Sequence, residues 1–588
     1  MPRATPREIR AAASFLVPGA FILILWSFGF SSLGEHNVTW DDALGDLFYG
    51  ERYLSYFLTF DQVYLEFDAD PYPADRRPDL RTSPFRGRPW EYYPFANLLG
   101  AATSELLFRQ LGWTDPFDGF HAVNLLFAAL LAWVVFSFAR RRFGLVAATV
   151  TSGLLFGSPR LIGHMTANVK DFSILVMFSL GAFVFYDAYE SGSRARVWLT
   201  GACLGLALAT KANALFLPLV PMLTLAMGGL PPSWHGREKL LLGNLALAGL
   251  VSPLITLAVW PYLWSAPLTG LARQLQFILS RKASTGALSV APPFEAVALT
   301  TPPLFLLTAV GGMVLSLLQI LRRPRAETRP LIFMWAWLLA VMSRFIVPGA
   351  VNYDGVRHFL EVFPPLALFG GYFSARAIRR LVADGLPVER RLALKAALTV
   401  ALLLPGTWQV LRTHPYQLAY WNSWIGGYAG AREAGKPQAG DYWGLSYRDG
   451  MRWLNDNAEP GAFLAVPVVE HAVRLVAPER LRPDLTLLPL TTPYSPAIDP
   501  DQLAELLRTA AERPVYVMFV ERRDWMNGLM LDCLRRLRPV VEWRLEEQPI
   551  LSIYRYLPPL PMPGGTPHST VNDPQDQEPP QHHVDHEG

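Results

Sequence analysis

Residues 120–142 read FHAVNLLFAALLAWVVFSFARRR, an apolar run closed by three arginines. An apolar segment of about 20 residues has the length that crosses the hydrocarbon core of a bilayer as a helix. The same pattern recurs along the chain, except that residues 197–229 are too long for one crossing and are interrupted at Thr210-Lys211. We interpret this stretch as two short helices meeting at one membrane face, which gives eleven crossings in all. The other predicted spans are residues 12–31, 118–138, 144–162, 171–189, 241–261, 301–321, 331–349, 359–378 and 393–411.

The overall composition agrees with a membrane protein. Of the 588 residues, 51% are hydrophobic and 17% are charged, and the mean hydropathy is +0.21, a profile that is rare in soluble chains of this size. The formal net charge of +3 is too small to indicate a nucleic-acid partner. Cys203 falls in an apolar segment and Cys533 in a distal polar region, so the sequence predicts neither a disulfide framework nor a cysteine metal site.

The arginine-rich loops predict the orientation in the membrane. Arg3, Arg7 and Arg10 precede the first span, which has no small-residue cleavage site, so we expect an anchor with a cytoplasmic N-terminus. The later basic loops, of which residues 140–142 are the first, all fall on the cytoplasmic side if residues 92–108 lie along the outer interface instead of crossing. The C-terminus is then expected outside the cell membrane.

Composition changes divide the chain into three regions. Residues 1–411 are the predicted transmembrane domain, within which residues 32–92 form a long outer loop. Residues 412–557 alternate β-rich runs such as AFLAVPVV and PVYVMFV with helix-like stretches, so we expect a small extracytoplasmic α/β domain. The last region, residues 558–588, is rich in Pro, Gln, Asp and His and is expected to be a disordered tail.

Acidic side chains stand at the predicted outer membrane face. HNVTWDDALGDLFYGERY (36–53) carries Asp41 and Asp42 just beyond the first span, and SPRLIGHMTANVKD (158–171) carries Asp171. Helix capping is the alternative explanation for one such residue, because the first amides of a helix and its dipole stabilise a carboxylate. The pairing of two acidic positions at one face favours a functional site. Asp41, Asp42 and Asp171 are therefore the candidate catalytic residues.

Basic and polar side chains are predicted at the same face. Lys170 and Lys211 stand at the mouths of helical hairpins, where a positive charge can hold a phosphate. Snorkelling to the interface explains Lys170 or Arg160 taken singly. Arg357 belongs to a short outer loop, and interfacial anchoring is the alternative for it. Further residues expected to line the site are His164, Asn168, Tyr353 and His358.

These motifs together resemble one family. The order of a first span, an acidic pair, a long outer loop, a hairpin ending in a second acidic site and then GLALATKANALFLPLV (205–220) resembles the GT-C glycosyltransferases of the protein O-mannosyltransferase and lipid A aminoarabinose transferase type. The stretches SPRLIGHMTANVKD, NYDGVRHFLEVFPPLALFGGY (352–372) and HPYQLAYWNSWIGGYAGAREAGKPQAGDYWGLSYRDGMRWLN (414–455) are similar to a bacterial, family 39-like branch. The resemblance extends over roughly residues 10–460.

The resemblance implies a polytopic α-helical membrane protein with a GT-C fold. It also implies transfer of a sugar, mannose or similar, from a polyprenyl-phosphate donor to a hydroxyl acceptor at the outer face, with inversion. Asp41 matches the family's catalytic acidic residue, while Asp42 stands where that motif usually has Glu, so the identity of the base stays open. Asp171 matches the second acidic position, and Lys170, Lys211 and Arg357 would hold the donor phosphate. Relatives of this type generally work without a metal, so no cofactor is expected, and a divalent metal stays open.

Two other functions compete with the transferase. A transporter or flippase for a lipid-linked sugar also places ionisable residues within a bundle, although here the charges gather at one face and no repeat relates the two halves. A non-catalytic membrane scaffold leaves the acidic sites unexplained. The expected partners are the lipid donor, membrane lipids and an acceptor that is a protein, a lipid or a glycan. The arginine-heavy composition and the bacterial-type motifs predict a bacterial inner membrane, with the site and C-terminal domain facing the periplasm.

Overall fold

A computed structural model describes residues 6–67, 89–280, 291–346, 354–383, 385–490, 497–522 and 525–557. The predicted tail, residues 558–588, and Tyr353 lie outside these residues. A helical part comes first along the chain, and a small sheet with flanking helices follows it. The helices of the first part are α1 (Pro6–Ser32), α2 (Leu47–Thr59), α3 (Pro94–Ser104), α4 (Pro116–His121), α5 (Val123–Phe143), α6 (Leu145–Phe156), α7 (Pro159–Ala167), α8 (Val169–Ser191), α9 (Arg194–Leu208), α10 (Leu219–Gly228), α11 (Glu238–Val259), α12 (Pro267–Ser280), α13 (Ala291–Thr300), α14 (Pro303–Arg322), α15 (Arg325–Met342), α16 (Phe363–Leu381) and α17 (Val388–Arg412).

The helical part contains membrane-spanning segments, as its composition predicts. The described residues contain seven segments long and apolar enough to cross a membrane, and the pair α6 and α7, bent by 66°, makes an eighth if the two helices are counted as one span. A multi-pass α-helical membrane protein is thereby confirmed. Within the described residues, the seven segments long and apolar enough to cross a membrane are Phe15–Ser32, Pro116–Phe143, Val169–Ser191, Glu238–Val259, Pro303–Arg322, Arg325–Ile346 and Val388–Arg412.

Three of the eleven expected crossings differ from full apolar spans. Residues 197–229 form α9, with 15 residues, and α10, with 10 residues, joined by the 3-10 turn Ala212–Phe216. At 1.5 Å per residue these helices are about 22 Å and 15 Å long, less than the hydrocarbon core of about 30 Å. The third, α16, carries Arg376, Arg379 and Arg380 near its end and is not among the seven segments long and apolar enough to cross a membrane.

Glycine allows pairs of helices to approach closely. A Cβ atom on Gly201 of α9 would lie 2.5 Å from the carbonyl oxygen of Ala248 in α11, and one on Gly205 would lie 2.6 Å from that of Ser252. This spacing of two small residues four apart is the one that lets transmembrane helices pack backbone to backbone. The contact fixes α9, and with it the Lys211 break that follows, against α11.

The described residues that follow α1 fold onto the helical part. A π-helical turn at Asp42–Asp46 leads directly into α2. The inner face of α2 buries Tyr49 and Tyr53 completely. Tyr49 stacks on Tyr92 with ring centroids 4.5 Å apart, and the indole of Trp260 donates to the Tyr53 hydroxyl at 3.1 Å. These contacts hold α2 in place, and with it the preceding turn Asp42–Asp46, here called the acidic turn.

The C-terminal part is an α/β unit, as expected from its alternating pattern. Its sheet has the order β2-β1-β3-β5-β4, in which β1 pairs parallel with β2 and β3, and β5 pairs antiparallel with β3 and β4. The runs AFLAVPVV and PVYVMFV contain β1 and β3. The elements are α18 (Gly427–Glu433), α19 (Tyr447–Asn457), β1 (Phe463–Ala465), α20 (Glu470–Arg480), β2 (Thr486–Leu488), α21 (Pro500–Glu512), β3 (Val515–Val520), α22 (Gly528–Arg536), β4 (Val541–Leu545) and β5 (Gln548–Tyr556).

A group of ion pairs, here called the docking cluster, joins this α/β unit to the helical part. Arg448 of α19 lies with its Nη1 2.8 Å from Asp118 Oδ1, and Arg480 of α20 lies with its Nη2 2.6 Å from Asp115 Oδ2. Arg480 Nη1 also donates to the carbonyl of His36 at 3.3 Å. Charge-assisted bonds of this kind, partly buried, hold the α/β unit against the residues that follow α1 and those at the start of α4.

Candidate active site

The adjacent carboxylates Asp41 and Asp42 have different partners. The Asp42 amide donates to Thr39 Oγ1 at 3.1 Å, while the Thr39 amide donates to Asp42 Oδ2 at 3.1 Å. This reciprocal pair is a capping box, which satisfies two amides at the start of a helical segment. His121 Nε2 donates to the same Oδ2 at 2.9 Å. The buried Asp42 carboxylate is therefore engaged in holding the start of the acidic turn.

Asp41 instead faces basic residues. Its Oδ2 accepts from Arg357 Nη1 at 2.7 Å and lies 3.8 Å from Lys170 Nζ. The side chain is 27% exposed, whereas the Asp42 side chain is 4% exposed. Burial opposes ionisation, but the positive charges of Arg357 and Lys170 outweigh it and hold the pKa of Asp41 well below its ordinary value. Asp41 is thus an ionised and accessible carboxylate.

A third carboxylate, Asp46, joins the site without having been predicted from the sequence. Lys170 Nζ lies 3.0 Å from Asp46 Oδ2, and Asn97 Nδ2 donates to Asp46 Oδ1 at 3.1 Å. Burial, together with the charges of Asp42 and Asp41, raises the pKa of Asp46 to about 6 against the opposing charge of Lys170. Its spacing of four residues from Asp42, one turn along a predicted helix, is the sequence signal that identifies it.

Asp171 lies at the first turn of α8, held by its own cap residue. Asn168 Oδ1 accepts from the Asp171 amide at 2.9 Å, and Asn168 Nδ2 donates to Asp171 Oδ2 at 3.0 Å. Lys211 Nζ forms an ion pair with Asp171 Oδ1, and Arg357 Nη1 lies 3.6 Å from Asp171 Oδ2. The carboxylate is 1% exposed. Asp171 is therefore placed to hold Lys211 and Arg357 on the side away from solvent.

The remaining predicted residues of α7 lie behind Asp171. His164 is fully buried and its Nδ1 accepts from Asn168 Nδ2 at 3.0 Å, so it orients the amide that in turn holds Asp171. Arg160 is also fully buried, and its Nε donates to the carbonyl of Tyr420 at 3.0 Å. Its guanidinium lies 5.2 Å from the ring of Trp421, a cation–π contact. These residues support the site from within the protein.

Arg357 is the cation that joins several parts of the site. It lies in the 3-10 segment Gly355–Val362, and its side chain is 5% exposed. Its Nη1 faces Asp41 and Asp171, whereas its Nη2 lies 3.1 Å from Asp354 Oδ2. The ring of Trp443 lies 4.9 Å from the guanidinium carbon. A planar guanidinium held at both ends and across one face has its orientation defined.

His358 contributes through its backbone. Its carbonyl accepts from Asn213 Nδ2 at 2.7 Å and also from Arg344. Asn213 Nδ2 donates in addition to Glu361 Oε1 at 2.9 Å. Asn213 directly follows the Lys211 break, so these bonds fix Lys211 relative to the segment that carries Arg357. The interruption within residues 197–229 thereby positions a cation.

The C-terminal part also reaches the site, which sequence reasoning did not predict. Arg522 follows β3, and its Nη2 donates to Asp354 Oδ1 at 3.0 Å. Its guanidinium lies 5.2 Å from the ring of Trp40, the neighbour of Asp41 in sequence. His471 of α20 also packs on Trp40, with ring centroids 5.0 Å apart. The position of Arg522 at the carboxyl end of a parallel strand is its only local signal.

Cations and carboxylates therefore alternate across the site. Such a site can accept a proton at the accessible carboxylate and stabilise a phosphate beside it. Among the residues that the structure describes, no group of three or more His, Cys, Asp or Glu is arranged to hold a metal ion. The contacts are Lys170 with Asp41 and Asp46, Lys211 with Asp171, and Arg357 with Asp41, Asp171 and Asp354.

Comparison with known proteins identifies the class of this fold. Residues 111–257 match the family model described as dolichyl-phosphate-mannose-protein mannosyltransferase. The crystal structure of ArnT from Cupriavidus metallidurans in the apo state is similar over 92% of this chain and 98% of its own, with 15% identity and a TM-score of 0.51. A search of curated proteins finds no match. The fold is that of the GT-C glycosyltransferases, as the sequence motifs indicate.

Two further solved structures are similar over most of the chain. ArnT from Cupriavidus metallidurans bound to undecaprenyl phosphate has 16% identity and a TM-score of 0.48, and covers 92% of this chain and 97% of its own. The archaeal oligosaccharyltransferase AglB from Archaeoglobus fulgidus, in complex with an inhibitory peptide and a dolichol-phosphate, has 13% identity and a TM-score of 0.42. It covers 86% of this chain and 69% of its own. The fold of the protein described here is thus ArnT-like.

Proposed function

We propose that the protein transfers a sugar from a polyprenyl-phosphate-linked donor to a hydroxyl acceptor at the outer face of the membrane. The observation that carries the proposal is Asp41, an accessible carboxylate that contacts both Arg357 and Lys170. A proton acceptor and cations that can hold a phosphate are thus adjacent, which is the arrangement that inverting glycosyl transfer requires.

The cations of the site are proposed to bind the donor phosphate. Lys170, Lys211 and Arg357 are each less than one-fifth exposed, so their attraction for an anion is weakened little by water. A phosphate that engages Arg357 and Lys170 competes with Asp41 for the same donors. The pKa of Asp41 then rises from its low value, and the carboxylate becomes a better proton acceptor once the donor is bound.

In the proposed reaction, the acceptor hydroxyl oxygen attacks the anomeric carbon from the side opposite the phosphate. The bond between that carbon and the phosphate oxygen breaks, and its electron pair stays on the departing phosphate, which Lys211 and Arg357 stabilise. The hydroxyl proton passes to Asp41. Because the new bond forms on the face opposite the bond that breaks, the configuration at the anomeric carbon inverts. Asp171 is assigned the role of orienting Lys211 and Arg357, and Asp42 that of holding the turn on which Asp41 lies.

The proposal also includes the sugar, the membrane face and the acceptor. Mannose is favoured as the sugar because the matching family model describes mannosyltransferases. The periplasmic face of a bacterial inner membrane is favoured because the basic loops, such as residues 140–142, are expected on the cytoplasmic side. We propose a protein, a lipid or a glycan as the acceptor, without preference among them.

The test compares the two neighbouring carboxylates in one assay. The purified protein in lipid nanodiscs is given radiolabelled polyprenyl-phosphate mannose and a cell-envelope extract, and transfer is measured for wild type, Asp41→Asn and Asp42→Asn. We expect Asp41→Asn to lose about 10²- to 10⁴-fold in rate. Asp42→Asn is the matched control, because the Asn side-chain oxygen can still accept from the Thr39 amide and keep the capping box.

Each outcome of this assay is informative. Full transfer by Asp41→Asn would contradict its role as the base, and a loss confined to Asp42→Asn would transfer that role to Asp42. No transfer by wild type with mannose, glucose, galactose or aminoarabinose donors would refute the transferase and favour a transporter of lipid-linked sugars.

A further inference from the structure

Arg522 connects the C-terminal part to the site with both ends of its guanidinium. Its Nη2 donates to Asp354 Oδ1 at 3.0 Å, and its Nη1 donates to the carbonyl of Tyr442 at 2.8 Å. The side chain is 13% exposed, and the Asp354 side chain is 6% exposed. Partly buried charge-assisted bonds of this kind fix geometry more firmly than exposed ones.

Both partners of Arg522 lead to Arg357. The second oxygen of Asp354 lies 3.1 Å from Arg357 Nη2, so one carboxylate is shared by two guanidinium groups. Tyr442 precedes Trp443, whose ring lies against the Arg357 guanidinium at 4.9 Å. Arg522 therefore fixes the carboxylate at one end of Arg357 and the backbone next to the ring on its face.

We infer that Arg522 is a positioning residue, through which the C-terminal part orients Arg357 towards Asp41. The inference rests on the proposed function, in which Arg357 holds the donor phosphate. Without Arg522, Asp354 Oδ1 loses its partner, and the carboxylate turns to bind Arg357 through both oxygens. That turn draws Arg357 Nη1 away from Asp41, from which it is now 2.7 Å distant.

The attachment of the C-terminal part does not depend on Arg522. The docking cluster joins the two parts elsewhere, with Arg480 2.6 Å from Asp115 and Arg448 2.8 Å from Asp118. Removing Arg522 therefore leaves the sheet in place and changes the site locally. A loss of activity without a loss of docking is the signature that separates positioning from simple stabilisation.

The experiment measures kcat and the donor KM for Arg522→Gln in nanodiscs, with polyprenyl-phosphate mannose as donor. The matched control is Arg452→Gln, because Arg452 also bridges the two parts, donating to the Gly34 carbonyl at 2.7 Å, but is 49% exposed and remote from Asp41. We expect kcat of Arg522→Gln to fall about 10- to 100-fold, since misplacing a reacting group by about 1 Å costs on that order. Arg452→Gln should keep the wild-type kcat.

A double-mutant cycle with Asp354→Asn tests the route. If Arg522 acts through Asp354, the double variant loses little more in kcat than the more affected single variant, because both changes release the same contact. Fully additive losses would refute action through Asp354. A wild-type kcat in Arg522→Gln would overturn the inference while leaving the proposed function intact.

Failure of the proposed function is distinguished by a structural readout. If wild type transfers no sugar, the structure of Arg522→Gln determined by electron cryomicroscopy decides the inference by itself. Arg357 Nη1 displaced from Asp41 supports positioning by Arg522, and an unchanged contact overturns it.

Discussion

The clearest quantitative expectation concerns Asp46, a buried carboxylate that the fold keeps although its charge is costly. Its pKa rises from the ordinary 3.8 to about 6. Between these values the native protein binds more protons than the unfolded chain, so this group makes the fold less stable as the pH rises from about 4 to about 6. Because one pKa unit equals about 1.4 kcal/mol, the ionised carboxylate reduces the free energy of unfolding by about 3 kcal/mol above that range.

The variant Asp46→Asn keeps the shape and an oxygen for Asn97 but removes the titration. We expect the stability of Asp46→Asn relative to wild type to increase by up to about 3 kcal/mol from pH 4 to pH 7. Transfer activity should fall in the same variant, because Lys170 loses the partner that lies 3.0 Å from its Nζ. Stability and activity then change in opposite directions, as expected where a site retains an unfavourable charge.

The assay is unfolding in detergent at several pH values, followed by tryptophan fluorescence. Asp61→Asn is the control, because Asp61 is an exposed cap residue on the same outer segment, with its side chain accepting from the Val63 amide at 3.0 Å. The difference curve of Asp61→Asn against pH is the baseline for an outer-segment carboxylate. A difference curve for Asp46→Asn that is no steeper than this baseline would refute the reasoning.

Three further predictions follow from other contacts. Arg357→Lys should lower the transfer rate by about 10²- to 10³-fold in a folded protein, because one ammonium cannot replace both ends of the guanidinium, and a wild-type rate would contradict its role. Gly312→Ala should destabilise α14 against α16 by about 1–3 kcal/mol, since its Cβ would lie 2.0 Å from the Phe369 carbonyl oxygen. The control Gly243→Ala has open space, and equal melting temperatures of the two variants would oppose this. Burial lowers the pKa of His36 to about 4, so the unfolded chain binds more protons below pH 6.5 and stability should fall by up to about 3 kcal/mol as the pH falls to 4. His36→Gln should flatten that part of the pH profile, and an unchanged slope would count against the assignment.

Most of the predicted site residues are brought together by the structure. Asp41, Asp171, Lys170, Lys211 and Arg357 lie in one network of ion pairs, although they come from four separate stretches of the chain. They could be found from the sequence because a charged side chain next to an apolar span stands out against its surroundings. The sequence also predicted that these residues lie on one side of the membrane, because the number of apolar spans between them could be counted.

The roles of neighbouring residues could not be predicted in the same way. Asp41 and Asp42 are adjacent and chemically identical, and their partners separate them: Thr39 and His121 for Asp42, and Arg357 and Lys170 for Asp41. Asp46 and Arg522 were missed, because a carboxylate in a turn and an arginine after a strand are ordinary features of any sequence. Their importance comes from partners that are distant along the chain.

The membrane-spanning class, the α/β character of residues 412–557 and the charged residues from which the site is built could all be predicted from the sequence. These are properties of composition and periodicity, which act over one helix or strand at a time. The contacts of His121 with Asp42, of Asp46 with Lys170 and of Arg522 with Asp354 emerge only when the chain is folded. An ion pair or hydrogen bond depends on a separation of about 3 Å between two atoms, and for residues far apart in sequence that distance is set by how the helices and the sheet pack together.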